Sequence, residues 1–296
     1  MYKRKLHELN LLDDFLMFTL VNHPEYGERF SRELLRIILG KDFKSLKVIP
    51  QKVYYGSDTD KHGARLDVYL EEEPDGEDSE ETATICDIEP NLDDGLEHIR
   101  ELPRKMRFYH SKIDAGSFES GMDYQSLKNV IVIMITPYDP FGLGRMIYTV
   151  SNRCLEEPDM PYEDGARTLF LYTKGTKGNP AEELRELLQY MENTEKANAR
   201  NEALREIHTM VEDVKRDSEV SLGYMRMMRS QEELTRKERI RAEKAEARAE
   251  TAEAKAETAE ARAETAEARA ETAEARAESA EAEIKRLKEE LEKWKK

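Results

Sequence analysis

The chain has only two cysteines among its 296 residues, Cys86 and Cys154, with no CxxC spacing and no third or fourth partner. That count supports neither a disulfide framework nor a zinc site, and it fits a reduced cytoplasm. Long apolar runs are missing too, so no segment is expected to span a membrane. The N-terminal MYKRKLHELNLLDDFLMFTLV begins basic, but Glu8, Asp13 and Asp14 intervene before any apolar stretch reaches signal length, which predicts a cytoplasmic protein. Basic charge is scarce: a net charge of -16 argues against a simple nucleic-acid coat protein. Proline is absent after Pro180 and aromatic residues nearly so after residue 195, which confines the globular part to roughly the first two-thirds of the chain.

The charge that is present is unevenly placed. EEEPDGEDSEE, Glu71 to Glu81, holds eight acids and no base, half of the excess, and with Pro74 and Gly76 it reads as a solvated hairpin tip. RELPRKMRFYHSK is locally basic, with Pro103 suited to a first helical turn and Arg100, Arg104, Arg107 and Ser111 on one helical face. That face is open to a phosphate.

Apolar spacing predicts helices over about 11–22 and 28–39, the second stopped by Gly40. Three strand-like runs follow: LKVIPQKVYY, ARLDVYLEEE and TATICDIE. A helix from Pro103 to about Asp114 comes next, and NVIVIMITPYD is apolar on both faces, as a strand inside a sheet should be. RMIYTV and RTLFLYT add two strand candidates, helices close the domain from about Pro180, and no strand signal follows residue 195. The order α-β-β-β-α-β predicts a mixed α/β domain around one sheet.

Within it, ATICDIEPN places Ile85, Asp87, Glu89 and Asn91 on one strand face and Thr84, Cys86, Ile88 and Pro90 on the other. A buried carboxylate without a partner costs several kcal/mol, so these acids need compensation or water. Asp67, in GARLDVYL, lies on the preceding strand, and hairpin pairing would bring it to Glu89. Two carboxylates sharing a site repel unless a cation stands between them, and a hard ion such as Mg²⁺ suits oxygen ligands of this kind. A structural ion network with Arg65 and Arg104 is the competing explanation. Asp87 shares the parity of Glu89 and reads as a solvated edge position. His98 and His110 have no metal-ligand spacing, and PFGLGR has a G-x-G that a turn explains.

An acid on one strand followed by E-x-K on the next marks the PD-(D/E)XK nuclease superfamily, and Asp67 with Glu89-Pro90-Asn91 is similar to it. More specifically the chain resembles the Rpn-type branch, the recombination-promoting nucleases and transposase-like proteins of bacteria. LLDDFLMFTLV, QKVYYGSDTDKHGARLDVYLE, ICDIEPN, LPRKMRFYHSKID, YQSLKNVIVIMITPYDPFGLGRMIYTV and DGARTLFLYTKG carry the resemblance over about residues 5 to 195. It implies a restriction-endonuclease-like αβββαβ core, with Asp67 and Glu89 ligating Mg²⁺, Mn²⁺ being a substitute. The third position, Lys or Gln in most of the superfamily, is Asn91 here, which can orient a water but cannot supply a charge. Asp14 resembles the acid that some members contribute from the first helix, with Asp13 an equal candidate and a helix cap the alternative. Arg104, Arg107 and Tyr109 resemble the phosphate-gripping helix after the motif.

From Ala245 to Ala282 the unit TAEA(R/K)AE recurs every seven residues. With Ala256 at heptad position a, Ala252, Ala259, Ala266, Ala273 and Ala280 fall at d, Ile284 and Leu291 at a, and Leu287 and Trp294 at d. Glu at e and Arg or Lys at g suit parallel pairing, against the alternative of a solvated single helix. The expected organisation is therefore a nuclease-like domain at 1–195, a helical linker at 196–240 and a heptad helix at 241–296, forming a homodimer anchored at its C-terminal end. The expected function is a Mg²⁺-dependent DNA endonuclease linked to recombination or transposition. A nuclease-fold DNA-binding or scaffold protein without turnover is the alternative.

Overall fold

The computed structural model describes residues 4–43, 46–50, 53–54, 64–65, 68–72 and 82–294. Two helices open it, α1 (Asp14–Val21) and α2 (Gly27–Leu39). Amphipathic spacing buries Phe30, Leu34, Leu35 and Ile38 of α2, and the helix stops at Gly40, whose φ of +64° is left-handed and whose N–H caps the Arg36 carbonyl. Strands β1 (Leu46–Pro50), β2 (Val53–Tyr54), β3 (Ala64–Arg65), β4 (Val68–Glu72) and β5 (Thr84–Pro90) follow, then α3 (Leu96–Ser117). After it come β6 (Asn129–Thr136), β7 (Ile147–Ser151), β8 (Ala166–Tyr172), α4 (Glu182–Glu192), α5 (Glu202–Arg216) and α6 (Ser218–Trp294).

Six strands form one mixed sheet in the order β1-β4-β5-β6-β8-β7, and β2 and β3 pair antiparallel by themselves. The run LKVIPQKVYY thus contributes β1 to the six-stranded sheet and β2 to the two-stranded one. The centre is parallel: β5 pairs with β6 and β6 with β8, while β1, β4 and β7 run antiparallel to their neighbours. As its two-sided apolar sequence requires, β6 lies inside the sheet with Val132, Ile133, Met134 and Ile135 fully buried.

Helix α3 begins at Leu96, well before the expected Pro103, which stands inside it. Pro103 forfeits one i→i-4 bond, yet its ring is on the exposed side and the helix continues. What holds α3 in place is its inner stripe. Leu102, Met106, Tyr109 and Ile113 join Tyr69, Ile85, Val130, Val132, Met134 and Phe170 in one core cluster on one face of the sheet. Burying these side chains contributes about 1.5–3 kcal/mol each. Cys86 and Ile88, pointing the other way along β5, are buried as well, so both faces of its centre are covered. Burial pushes the free Cys86 thiol up to about 12, with Glu72 adding to the shift.

Two acids expected in a solvated tip are strand residues instead. Glu71 and Glu72 belong to β4, where Lys128 pairs with Glu71 and Lys41 Nζ lies 2.8 Å from Glu72 Oε2. Residues 73–81 of that acidic stretch lie outside the described residues.

The chain divides into two compact units, Met1–Met225 and Arg226–Lys296. The first extends past 195 because α4 and α5 belong to its core. Leu204, Ile207, Met210, Val211 and Val214 of α5 are buried, and the fully buried Tyr190 shares a 2.9 Å hydrogen bond with His208 Nδ1. The N-terminal segment is tied to the same region: Leu11 N donates to Thr194 Oγ1 at 2.7 Å and Tyr224 Oη to the Arg4 carbonyl at 2.8 Å. The described residues of the second unit all belong to α6. Among the described residues no helix is long and apolar enough to cross a membrane.

His110 fastens α3 to the sheet, sharing a 2.9 Å hydrogen bond between its Nε2 and Thr168 Oγ1. Its Nδ1 is buried and has no hydrogen-bond partner among the described residues. Burial pulls its pKa below the ordinary 6.5, with Asp164 acting in the opposite sense. Because folding favours the neutral ring, this stabilisation is complete above the unfolded-state pKa and declines as pH falls through the lower folded value. Urea unfolding at pH 7 and pH 5 should show a smaller loss of stability in His110→Gln than in the wild type.

Candidate functional site

The site is built on β5. Its two edges are occupied by β4 and β6, with Val68 opposite Ile88, Tyr69 opposite Asp87 and Met134 beside Glu89. Asp87 is therefore not a solvated edge residue: it is fully buried, and Glu89 is 3% exposed. Alternation puts both acids on the face of Ile85, beneath α3.

One cation close to Glu89 comes from α3. Lys105 Nζ lies 3.9 Å from Glu89 Oε2 and 5.3 Å from the centre of the Tyr109 ring, so one ammonium serves a carboxylate and an aromatic face. The stripe through Arg104 and Arg107, expected to grip phosphate, is exposed on the outer side of the helix. Tyr109 does not share that outer stripe. It is 8% exposed and packs in the core cluster. The overlooked signal was the phase of the apolar residues: Leu102, Met106, Tyr109 and Ile113 mark the inner face, and Lys105 is three residues from the first and four from the third.

Asn91 continues β5 by one step, its N–H donating to the Ile135 carbonyl at 2.9 Å. Its side chain is a junction. Oδ1 accepts from Tyr138 Oη at 3.1 Å and from Asp93 N at 3.0 Å, and Nδ2 lies 2.9 Å from His98 Nε2. Since the amide nitrogen can only donate, a neutral His98 carries its proton on Nδ1, which faces Asp93 Oδ2 at 3.8 Å. Asp93 Oδ1 in turn accepts from Gly95 N at 3.1 Å, just before α3 begins. The carboxyl end of β5 is thereby clamped to the start of α3 and to the loop after β6. Burial, reinforced by Asp93 and Asp94, pushes the Tyr138 hydroxyl up to about 12, so it stays protonated as the donor to Asn91.

The loop from Tyr138 to Arg145 lies beside this junction. Gly142 and Gly144 take φ of +70° and +72°, which the turn requires, and the loop closes on Asp139. That carboxylate accepts from Phe141 N at 3.1 Å, from Tyr148 Oη at 2.8 Å and from Gly144 N. Burial opposes ionisation of Asp139, but these donors outweigh it and hold the pKa below the usual carboxylate range. The N–H groups of PFGLGR thus serve an internal anion, in keeping with a turn and not with a phosphate loop.

Of the remaining expected residues, Asp13 and Asp14 lie at the start of α1. Asp13 is bound by the Arg4 guanidinium, at 2.8 Å for one of the two contacts, and by Asn10 N at 2.7 Å, so it fixes the turn before α1. Asp14 is exposed in the first turn of α1. Asp67 lies outside the described residues; it directly precedes Val68 in the chain. Among the described residues no group of three or more His, Cys, Asp or Glu side chains is gathered as a metal site.

Comparison with known proteins returned no matching family model, no matching curated protein and no matching solved structure. The site geometry leads to one direct test. Asn91→Ala removes a side chain bonded on both of its polar atoms and leaves buried groups without partners. It should lower stability by about 1–3 kcal/mol, and Tyr138→Phe by about 1 kcal/mol, in denaturant titrations.

Proposed function

We propose that this protein is a Mg²⁺-dependent DNA endonuclease of the PD-(D/E)XK kind, Rpn-type, that hydrolyses phosphodiester bonds in recombination or transposition. The observation that carries the reading is Glu89, a carboxylate buried at the carboxyl end of a central strand with a lysine ammonium 3.9 Å away. In open α/β sheets such strand ends are where ligands are held. Support also comes from the chain resemblance, and from the register, in which Ile88, the neighbour of Glu89, pairs with Val68, the neighbour of Asp67.

The donors fit the ion. Asp67 and Glu89 offer hard carboxylate oxygens, the ligand type that Mg²⁺ takes in combination with substrate phosphate oxygens. When bound, Mg²⁺ polarises the phosphoryl oxygen and lowers the pKa of a coordinated water. Asn91 uses one amide hydrogen on His98 and offers the other to orient that water. Lys105 brings to the site the positive charge that Asn91 lacks, and its stacking on Tyr109 holds the ammonium at Glu89. Arg104 and Arg107, exposed on the outer stripe of α3, would meet phosphates away from the scissile bond.

One observation favours a second reading. The Asn91 side chain is tied into Tyr138, Asp93 and His98, as a purely structural residue would be. A DNA-binding scaffold that does not turn over would have the same network. Plasmid cleavage with Mg²⁺, Mn²⁺ and EDTA separates the two. Glu89→Gln should lose at least about 100-fold in cleavage, and Lys105→Met about 10–100-fold, the scale of an outer-shell group. Glu89→Gln should also remain folded in thermal melts, because it removes charge repulsion from the face shared with Asp87. Uncut plasmid with every metal, alongside a salt-dependent gel shift, would support the scaffold.

A further inference from the structure

From Arg229 onward every described side chain of α6 is exposed, including Ile284 at 52%, Leu287 at 52% and Leu291 at 57%. These large apolar groups, spaced i, i+3 and i+7, form a stripe that no described residue covers. The charges upstream show what kind of surface fits it. Arg248, Lys255, Arg262, Arg269 and Arg276 recur every seven residues, and the positions three and four away hold only Ala, Thr, Ser or, beside Arg248, Lys244. None can form an ion pair along its own helix, and none has one among the described residues. Upstream of the repeat the opposite holds: Arg239 Nε pairs with Glu243 Oε1 at 2.9 Å, four residues on. Within the repeat the acids Glu250, Glu253, Glu257, Glu260, Glu264 and Glu267 are spaced by three or four residues, so their intrahelical neighbours are like charges. The threonines are satisfied locally, Thr251, Thr258 and Thr265 each donating to the carbonyl four residues back at 2.7 Å. A solitary charged helix is sustained by i,i+4 pairs of opposite sign, and here they are missing.

We propose that the stripe is covered by the same segment of a second copy, parallel and in register. With Ala, Ile and Leu at a and d, the cations fall at g and the acids at e. In a parallel pair each g side chain faces the e side chain five residues on in the other helix. Arg248 then meets Glu253 of the second copy, Lys255 meets Glu260, Arg262 meets Glu267, Arg269 meets Glu274 and Arg276 meets Glu281. An antiparallel pair would set cation against cation and acid against acid. Because the alanine heptads are alike, a slide of seven residues leaves their ion pairs intact. Only the in-register arrangement matches Ile284, Leu287, Leu291 and Trp294 with themselves, so these residues fix the register. Both N-terminal units then lie at the same end of the pair. The inference does not depend on the nuclease reading.

The test uses full-length protein. Light scattering should give the mass of two chains. In a Cys154→Ser background, Cys86 being buried, Ala263→Cys and Ala277→Cys should each cross-link to itself under mild oxidation. A cross-link that forms only when the two variants are mixed would overturn the parallel register. Changing the five cations to Glu in one protein, and Glu253, Glu260, Glu267, Glu274 and Glu281 to Lys in another, should leave each monomeric alone and restore the dimer on mixing. A wild-type mass of one chain, or of more than two, or failure of the mixture to pair, would overturn the proposal.

Discussion

The constraint around which the N-terminal unit is arranged is the placement of two carboxylates inside a sheet. Asp87 and Glu89 sit on a strand with neighbours on both edges, and neither reaches bulk water. Taking ionised groups out of water costs several kcal/mol each after relaxation, so the surroundings must compensate them. Helix α3 acts on both sides of that balance. Its apolar stripe excludes water from that face, which lowers the local dielectric and strengthens any charge interaction there. The same stripe carries Lys105 in at the Glu89 carboxylate.

The position of α3 is in turn fixed by the end of β5. Asn91, Asp93 and His98 tie the strand to the first turns of the helix, and Tyr138 joins them from the loop after β6. The network joins the buried Asn91 to the half-buried His98 and Tyr138 and to the exposed Asp93, and loss of a partner leaves the buried amide unsatisfied. Next to them, the 138–145 loop is closed around Asp139 by backbone donors, which makes it a rigid wall. Geometry at the strand end is set by polar contacts, while the body of the sheet is set by apolar burial.

The two units rest on different physics. In Met1–Met225, strands and helices bury a shared core, and α5 and the start of α6 are drawn into it by Leu204, Ile207, Met210 and Tyr224. Among the described residues of Arg226–Lys296 there is almost no burial. Helicity there rests on alanine propensity, while the charges of the repeat lie in separate stripes that offer no opposite-sign i,i+4 pairs.

Much of the framework was legible in the sequence because it depends on local periodicity and on backbone chemistry. The two-sided apolar run of β6, the Gly40 stop of α2, the alternation along β5 and the long C-terminal helix all follow from spacing and residue type. Periodicity gives spacing but not phase against a neighbour, and there tertiary structure decided. The apolar stripe of α3 marks its inner face, with Arg104 and Arg107 outer, but that Lys105 meets Glu89 depends on the strand that lies beneath it. Whether Asp87 meets water depends on β6, a strand some forty residues away in sequence that occupies the second edge of β5. The start of α3 at Leu96, ahead of Pro103, likewise depends on the junction with Asn91 and on packing against the sheet, whose contributions outweigh the one helical hydrogen bond that proline gives up.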